Sequence, residues 1–461
     1  MEQLSEERRL FGTNGIRGVF NKDLTPEFAL AIGESIGTFF EEGELVFGYD
    51  GRISSPILAD IVTSGLISTG CSVVNIGMAP TPATQYLTKT WGYDGAVIVT
   101  ASHNPPEYNG IKVSDSDGIE MPREKEIAIE KIYFGKEWRR VDYRGLGAKS
   151  TRAGALEEYR DAIKRHIDLN RTRKARLKVV VDPANGVGAL VTPYLLREIG
   201  CQVYTINANL DGTFPARSPE PTVGNLLQLG QAVKAFEADF GVAHDGDADR
   251  AIFVDENGVP HWGDKSFAII EKHFLSEHPG ETIVTPISSS QAVEEIAEAH
   301  GGKVYWTRVG SINVSRAMQQ IGAKLGGEEN GGVFYGPHLA VRDGAVAAAL
   351  IADILSRTKK KFSELLGDLP SYQIVKDKVS CPNAIKEQVL EKIVGSLGGL
   401  RVETIDGAKI WLSDNSWILI RPSGTEPIYR LFAEAKTLEE AAESVSKYKA
   451  AVKQFVEQFA G

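Results

Sequence analysis

A serine and a histidine stand side by side shortly after a segment that is predicted to be a buried strand. Residues 95–99 are apolar and rich in β-branched side chains, which favours a core strand, and Ser102 and His103 follow closely. An asparagine and two prolines at 104–106 then interrupt regular structure. A hydroxyl beside an imidazole at the edge of a sheet can act as a nucleophile. Taken alone, this stretch is equally consistent with a polar turn that does no chemistry.

Three aspartates alternate along the run 245–250. The oxygens of Asp245, Asp247 and Asp249 can converge on one hard cation, and Mg²⁺ prefers carboxylate and phosphate oxygens. Clustered carboxylates repel one another unless a cation or an arginine lies close, and Arg250 ends the run. A solvated surface loop is the alternative. A calcium-binding EF-hand is excluded because the run lacks the twelve-residue frame.

The run 421–427 has the composition of a phosphate-binding loop. It offers a guanidinium, two hydroxyls and backbone amides beside a glycine, and a second arginine follows. The candidate phosphate-binding residues are Arg421, Ser423, Gly424, Thr425 and Arg430. A structural turn is the alternative.

Two glycine-rich stretches carry further charged side chains. Glu328 and Glu329 lie between pairs of glycines, and carboxylates there can accept hydrogen bonds from sugar hydroxyls. Arg17 lies among the glycines of residues 12–18, where its planar guanidinium can meet a phosphate or a carboxylate. A flexible acidic loop and a plain glycine turn are the alternatives. Together with the nucleophile and the triple carboxylate, these stretches indicate phosphoryl transfer.

Composition limits the kind of protein that carries these residues. The 461 residues are 42% hydrophobic and 24% charged, which is typical of a globular chain of three or four domains. The net charge of -10 argues against a nucleic-acid partner or an anionic membrane surface. No apolar run approaches the length of a membrane span, and the first residues lack a signal-peptide pattern. Three widely spaced cysteines fit free thiols in a reducing compartment, so we expect a cytoplasmic protein.

A strand–helix–glycine–strand pattern occurs three times and predicts the elements that position these loops. It covers residues 45–74, 177–204 and 282–305, with helices expected at 56–69, 188–198 and 290–299, and it is typical of βαβ units. After each unit a further strand leads into one of the loops, at 102, 245 and 328. Ligands of such sheets bind beyond the carboxyl ends of the strands, so we expect the three loops to share one site.

We therefore predict an α/β protein of three related domains with mixed sheets, followed by a smaller α+β domain that carries the phosphate loop. The expected domains are residues 1–150, 151–255, 256–369 and 370–461, and the last of them is expected to contain a long helix from about 437 to 459. A dinucleotide-binding oxidoreductase is a weak rival, because the glycines at 186 and 188 follow a strand. Val191 replaces the third glycine of that fingerprint, and the next strand ends without an acid for a ribose.

The four motifs, in this order and spacing, resemble the α-D-phosphohexomutase superfamily, which includes phosphoglucomutase, phosphomannomutase and phosphoglucosamine mutase. The resemblance covers nearly the whole chain. It implies a heart-shaped enzyme of four domains that moves a phosphoryl group between O6 and O1 of a hexose phosphate. The expected route runs through phosphoserine at Ser102 and a hexose 1,6-bisphosphate, which also serves as activator.

The resemblance also implies roles for individual residues. Mg²⁺ would be held by phosphorylated Ser102 and by the three aspartates, Asp245, Asp247 and Asp249. The residues expected to assist phosphoryl transfer are Arg17, His103, Lys112 and Arg250, with Lys112 as the candidate general acid/base. The residues expected to bind substrate are Glu328 and Asn330 at the sugar and Arg421, Ser423, Gly424, Thr425 and Arg430 at the non-transferring phosphate.

Some positions depart from the bacterial bifunctional enzymes of this superfamily. Those enzymes have serine and histidine where this chain has Asn330 and Gly332, and they carry a histidine near Ser311. The chain is more similar to archaeal members, some of which act on amino sugars. Phosphoglucosamine mutase is the expected activity, and a bifunctional phosphoglucomutase/phosphomannomutase is the alternative. A catalytically silent sugar-phosphate-binding protein is a more distant one, and the enzyme is expected to be a monomer or a homodimer.

Overall fold

The computed structural model describes residues 9–12, 14–424 and 426–460, and it contains four β-sheets in chain order. Three sheets combine parallel and antiparallel strands, and the fourth is antiparallel throughout. The predicted fold class is therefore confirmed. The carboxyl ends of the central parallel strands carry the loops that the sequence singled out.

The first sheet has the strand order β1-β5-β4-β2-β3-β6. Its strands are β1 (Ile16–Val19), β2 (Glu44–Tyr49), β3 (Ser72–Met78), β4 (Gly95–Val99), β5 (Tyr108–Asp115) and β6 (Lys149–Thr151), and its helices are α1 (Pro26–Phe40), α2 (Ser55–Ser68), α3 (Thr81–Trp91) and α4 (Arg123–Gly135). All five residues of β4 are buried, which explains why this strand is apolar without alternation. The loop with Ser102 leaves from its carboxyl end.

The second sheet has the order β11-β10-β9-β7-β8. Its elements are α5 (Ala155–Lys164), α6 (Leu169–Ala175), β7 (Lys178–Asp182), α7 (Thr192–Glu198), β8 (Gln202–Thr205), α8 (Leu227–Ala235), β9 (Phe240–His244), β10 (Ala251–Asp255) and β11 (Pro260–His261). The sequence predicted one helix over 188–198, but a 3₁₀ turn precedes α7 because Pro193 allows only the first turn of a helix. Strand β11 extends this sheet past residue 255, where the sequence placed the end of the domain.

The third sheet has the order β13-β12-β14-β15-β16. Its elements are α9 (Gly263–Glu277), β12 (Thr282–Pro286), α10 (Ala292–Ala299), β13 (Lys303–Thr307), α11 (Ser311–Ile321), β14 (Leu325–Gly327), β15 (Val333–Tyr335), β16 (Leu339–Arg342), α12 (Gly344–Thr358) and α13 (Phe362–Gly367). One hydrophobic core joins the second and third sheets and includes both α9 and α12.

The fourth sheet, of order β17-β21-β20-β19-β18, has a separate core. Its elements are β17 (Gln373–Ser380), α14 (Lys386–Gly395), β18 (Val402–Glu403), β19 (Ala408–Ser413), β20 (Ser416–Pro422), β21 (Ile428–Ala435) and α15 (Leu438–Ala460). None of the helices in the described parts of the chain combines the length and apolar character that a membrane span requires. The three cysteines are buried free thiols.

Candidate active site

Ser102 lies fully buried three residues beyond β4 and has a left-handed backbone, with φ of 50°. Its backbone N–H donates to Thr100 Oγ1 at 2.8 Å, and its hydroxyl donates to Asp245 Oδ2 at 2.8 Å. His103 Nδ1 lies 3.3 Å from the same hydroxyl. Non-glycine residues rarely adopt this backbone conformation, and such residues cluster at functional sites. The loop therefore presents the serine directly to the first aspartate of the second domain.

Asp245, Asp247 and Asp249 follow β9, are fully buried, and bring one carboxylate oxygen each within 4.8 Å of the others. Burial, followed by the charges of the other two aspartates, raises the pKa of Asp245 well above its ordinary value. The Oδ1 atoms of Asp247 and Asp249 have no hydrogen-bond donor within the described residues. Unpartnered carboxylate oxygens in a dry site are the donor set that Mg²⁺ prefers, so these residues fit that ion.

Two basic side chains reach the aspartates from other domains. Lys112 Nζ, on β5, donates to Asp247 at 2.8 Å and lies 3.7 Å from Asp249. Although burial opposes ionisation, the charge of Lys112 lowers the pKa of Asp247 below its ordinary value. Arg342, at the end of β16, donates to Asp249 Oδ2 at 2.6 Å. Thr81 donates a further hydrogen bond to Asp247 at 2.7 Å.

Arg250 and His103 share one carboxylate. The Arg250 backbone N–H donates to Asp245 Oδ1 at 3.1 Å, and its Nη1 donates to Glu220 at 2.8 Å. The same Glu220 side chain lies 3.5 Å from His103 Nε2. Burial, and then the positive charge of Arg250, lowers the pKa of His103, so its imidazole is neutral at physiological pH.

Arg17 approaches the nucleophile loop from β1. Its Nη1 donates to Asn104 Oδ1 at 2.7 Å, and its Nε has no acceptor in the described part of the chain. Burial lowers the pKa of Arg17 to about 10, which still leaves it charged at neutral pH. An orphaned guanidinium N–H beside the serine loop is free to bind an anionic oxygen.

The acidic loop after β14 divides its two glutamates between different partners. Glu328 is buried and lies 3.5 Å from Arg342, the same side chain that holds Asp249. Glu329 accepts hydrogen bonds from Trp262 Nε1 and from Lys376 Nζ. Asn330 lies in the same loop, where its Oδ1 accepts the N–H of Gly332 at 3.2 Å. Glu328 is therefore linked to the aspartate cluster, whereas Glu329 joins the third domain to the fourth.

The phosphate loop begins at the end of β20, and side chains of the same fourth domain hold it in place. Arg421 Nε and Nη2 both approach Asp406 Oδ2, at 3.0 and 2.9 Å, and Arg430 donates to Glu426 at 2.7 Å. The Lys386 ammonium donates to the backbone oxygens of Ser423 and Glu426, both at 2.6 Å.

Gly424 and Thr425 are also part of the predicted phosphate-binding set. Gly424 is exposed, and Thr425 lies outside the described residues. None of the hydrogen bonds that Arg421 and Arg430 make with described residues reaches Ser102 or the aspartates. Hydrogen bonds and ion pairs therefore link predicted residues of the first three domains, whereas the hydrogen bonds of Arg421 and Arg430 with described residues stay within the fourth domain.

Sequence reasoning missed several buried side chains that organise the site. Arg52, Arg217 and Arg342 bind residues 50, 27 and 93 positions away in the chain, so no local motif contains both partners. Glu220 lies in a segment without regular pattern. The one available signal was Arg52, which stands two residues after an aspartate at a predicted strand end.

Three mixed α/β domains and an antiparallel fourth, with a serine loop facing a triple carboxylate, are the architecture of a phosphohexomutase. The sequence matches the family described as phosphoglucomutase/phosphomannomutase over almost its whole length. The matched parts are alpha/beta/alpha domain I at residues 8–140, domain II at 157–258, domain III at 262–372 and the C-terminal domain at 378–450. The chain belongs to this family of enzymes, for which Mg²⁺ dependence is typical, so the resemblance of its motifs is confirmed.

Individual relatives agree with the family assignment. A phosphoglucomutase/phosphomannomutase of Thermococcus kodakarensis is 45% identical over 94% of this chain and 96% of that protein. A phosphoglucosamine/phosphogalactosamine mutase of Sulfurisphaera tokodaii is 46% identical over 93% of this chain and 95% of that protein. The crystal structure of a phosphoglucomutase/phosphomannomutase family protein from Burkholderia thailandensis superposes with a TM-score of 0.87, at 28% identity over 97% of both chains.

Proposed function

We propose that this phosphohexomutase works through a phosphoryl group on Ser102 and that glucosamine phosphate is its main substrate. The observation that carries the mechanism is the buried Ser102 hydroxyl, 2.8 Å from Asp245 in a cluster of three carboxylates. A serine oxygen in that position can hold a phosphoryl group next to a cation on the aspartates. Asp245, Asp247 and Asp249 would hold Mg²⁺ together with the phosphorylated serine.

The residues of the chain suit each part of the transfer. The Oγ–P bond of phosphorylated Ser102 breaks as a sugar hydroxyl forms the new O–P bond. The proton of that hydroxyl ends on Ser102 Oγ, and Lys112 is the proposed group that exchanges it. Arg17 and Arg250 bind the phosphoryl oxygens, and the neutral His103 orients the serine oxygen. When bound, Mg²⁺ supplies positive charge that offsets the charge of the transferring group.

The product of this first transfer is a hexose 1,6-bisphosphate. The sugar must turn so that its other phosphate faces Ser102, which then takes that phosphoryl group and regenerates the phosphoserine. Added bisphosphate acts as activator because it phosphorylates the free serine. The loop of Arg421, Ser423, Gly424, Thr425 and Arg430 binds the phosphate that is not being transferred, and Glu328 with Asn330 binds the sugar.

The preference for an amino sugar rests on relatives and on the acidic loop. The relative that is 46% identical is named for glucosamine and galactosamine phosphates. In this chain Glu329 is held by Trp262 and Lys376, so Glu328, which lies 3.5 Å from Arg342, is the carboxylate that we propose binds a sugar ammonium. A bifunctional phosphoglucomutase/phosphomannomutase is the second candidate, because the relative from Thermococcus carries that name.

The test is a comparison of kcat/KM for the 6-phosphates of glucosamine, glucose and mannose, with Mg²⁺ and a trace of glucose 1,6-bisphosphate. We expect a clear preference for glucosamine 6-phosphate. Similar values for glucose and mannose that exceed the glucosamine value would establish the bifunctional enzyme instead. Absence of turnover with all three would favour a sugar-phosphate-binding protein that does no chemistry.

We also propose the boundaries and the setting of the enzyme. We propose boundaries near residues 151 and 369, which the sequence also favours, and near 261, because β11 pairs with β10. The free thiols support a cytoplasmic location, and the proposed assembly is a monomer or a homodimer. Size-exclusion chromatography with light scattering would distinguish the two assemblies.

A further inference from the structure

In the first domain, an arginine three residues beyond β2 holds the loop of Ser102 by its backbone. Arg52 is fully buried, and its Nε donates to Asp50 Oδ2 at 3.0 Å. Its two Nη atoms donate to four carbonyl oxygens at 2.6 to 3.0 Å, those of Ser102, Asn104, Pro105 and Tyr108. Asp50 Oδ2 also accepts the Thr100 hydroxyl at 2.7 Å, and Thr100 in turn accepts the Ser102 N–H. All these contacts fix the backbone on both sides of the nucleophile.

The second domain repeats this arrangement beneath the aspartate loop. Arg217 Nε donates to Asp182 Oδ2 at 2.8 Å, and Nη2 donates to the carbonyl oxygen of His244 at 2.7 Å. His244 is the residue immediately before Asp245. Arg217 and Asp182 are both buried, so this pair is shielded from solvent.

The two aspartates occupy equivalent places in the sheets. Asp50 follows β2, which pairs in parallel with β4, and Asp182 ends β7, which pairs in parallel with β9. In the third domain, Thr285 of β12 takes the corresponding place, and its hydroxyl donates to the carbonyl oxygen of Gly327 at 2.8 Å, just before Glu328. In each repeat a polar residue at the end of the neighbouring strand, Asp50, Asp182 or Thr285, thus secures the functional loop by a carbonyl oxygen, through an arginine in the first two repeats and directly in the third.

We propose that Arg52 and Arg217 are positioning residues with separate tasks, an inference that rests on the proposed phosphoserine mechanism. Arg52 holds the loop of the nucleophile and sets the rate of phosphoryl transfer at Ser102. Arg217 holds the start of the aspartate loop and sets its affinity for Mg²⁺. Neither side chain touches the substrate. The planar guanidinium matters because its spread N–H groups reach several carbonyl oxygens at once, which a lysine ammonium cannot do.

The test compares Arg52→Lys and Arg217→Lys in the full-length enzyme. One readout is the rate at which Ser102 takes up a phosphoryl group from glucose 1,6-bisphosphate at saturating Mg²⁺, followed by intact-protein mass spectrometry. The other readout is the Mg²⁺ dissociation constant of the dephosphorylated enzyme, measured by calorimetry. Arg160→Lys is the matched control, because Arg160 is also buried and paired, with Glu198, but touches neither loop.

We expect Arg52→Lys to slow Ser102 phosphorylation and kcat by about 10- to 100-fold, because a small misplacement of the nucleophile has effects of this size. Its Mg²⁺ affinity and its KM should stay within about twofold of the wild type, given that Arg52 touches no aspartate of the cluster. Arg217→Lys should weaken Mg²⁺ binding by about 10-fold, as outer partners of metal ligands do, and phosphorylate normally at saturating Mg²⁺.

The inference is overturned if both variants lose phosphorylation rate and Mg²⁺ affinity to the same extent. It is also overturned if Arg52→Lys phosphorylates Ser102 as fast as the control Arg160→Lys. If Arg52→Lys does not fold, Asp50→Asn tests the same arrangement by removing the carboxylate that orients Arg52. If the wild-type serine takes up no phosphoryl group, the proposed function fails, whereas the Mg²⁺ titration of Arg217→Lys still tests the second arrangement.

Discussion

At the scale of single residues, the site is a balance of buried charges. Three carboxylates lie together, and the basic groups in hydrogen-bond contact with Asp247 and Asp249 are Lys112 and Arg342. The Arg250 guanidinium lies 4.0 Å from Asp245, but burial and the charges of the other two aspartates still raise the pKa of Asp245, so the charge of this carboxylate is incompletely offset. A bound divalent cation would remove this imbalance, so metal binding should stabilise the folded protein as well as activate it.

Arg342→Met tests this balance. The change leaves Asp249 and Glu328 buried without their shared partner, and breaking a buried ion pair costs about 3–5 kcal/mol. We expect the free energy of unfolding in urea to fall by about that amount without Mg²⁺ and by less with saturating Mg²⁺. Arg123→Met, which breaks a partly exposed pair with Glu130, should show a smaller loss that Mg²⁺ does not change. An Arg342→Met defect that is independent of Mg²⁺ would contradict the account.

The buried carboxyl of Asp343 makes the free energy of unfolding depend on pH. It caps α12 by accepting the Val346 N–H at 2.9 Å, and burial raises the pKa of Asp343 from 3.8 to about 6. Between pH 4 and 6 the folded chain binds more protons than the unfolded chain, so ionisation of Asp343 lowers the free energy of unfolding as pH rises.

Asp343→Asn keeps the helix cap and cannot ionise. We expect the free energy of unfolding of this variant, relative to the wild type, to increase by up to about 3 kcal/mol between pH 4 and 7. Urea unfolding at several pH values in that interval measures the difference. A difference that does not change with pH would show that Asp343 titrates alike in both states.

The sequence identified those site residues that lie close to chemically similar residues along the chain. Asp245, Asp247 and Asp249 are close in sequence as well as in space, so the sequence alone indicates that their charges repel one another. No sequence pattern indicates the role of Arg342, because this residue contacts Asp249 only where β16 packs against the second domain. The sequence also does not indicate that Glu328 and Glu329 have different partners, since Lys376, which binds Glu329, belongs to another domain.

At the scale of elements, the first residue of helix α12, Gly344, packs against the backbone of the aspartate loop. A Cβ on Gly344 would lie 2.6 Å from the carbonyl oxygen of Arg250 and 2.9 Å from that of Ala248. These are backbone atoms of the loop itself, so they cannot move aside without displacing the carboxylates. The absence of a side chain at Gly344 therefore permits the site to form.

Gly344→Ala should reduce kcat at saturating Mg²⁺ by at least about 10-fold and destabilise the protein by about 1–3 kcal/mol through overpacking. Gly395→Ala is the matched control, because a Cβ at the end of α14 meets no atom within 4 Å. Steady-state kinetics and thermal unfolding of both variants measure the effects. Full activity in Gly344→Ala would show that the loop tolerates displacement by α12.

The elements themselves were largely predictable because hydrophobic periodicity and glycine-terminated helices repeat in three copies. The errors have local causes. Pro193 divided a helix that the pattern made continuous, and β11 is a two-residue strand with too few residues to show a period. The helix of the fourth domain at 437–459 was predicted nearly to its observed bounds, Leu438–Ala460, because it is long and amphipathic.

At the scale of the whole molecule, the fourth domain contacts the third through a hydrophobic cluster, in which Ile287 packs with Trp417 and Phe432, and through polar contacts that reach the candidate loops. Lys376 of β17 binds Glu329, and Asp406 Oδ2 accepts the Val309 N–H at 3.1 Å as well as the Arg421 guanidinium. One contact reaches the acidic loop at Glu329, and the other reaches Arg421 through Asp406. We therefore expect them to affect substrate binding more than chemistry.

Lys376→Met tests this attachment. Loss of the partly buried pair should raise KM for the sugar phosphate by about 3- to 10-fold, since such pairs contribute about 1 kcal/mol, and leave kcat within about twofold. Lys378→Met, on the same strand and without a carboxylate partner within the described residues, should change neither value. A fall in kcat with unchanged KM would place Lys376 in the chemical step.

The phosphoryl group on Ser102 is the central claim, and rapid-quench transfer from enzyme labelled there with ³²P tests it most directly. With glucosamine 6-phosphate, the label should leave the serine at least as fast as kcat and appear first in glucosamine 1,6-bisphosphate. Label that stays on the protein while glucosamine 1-phosphate accumulates at the steady-state rate would contradict the mechanism.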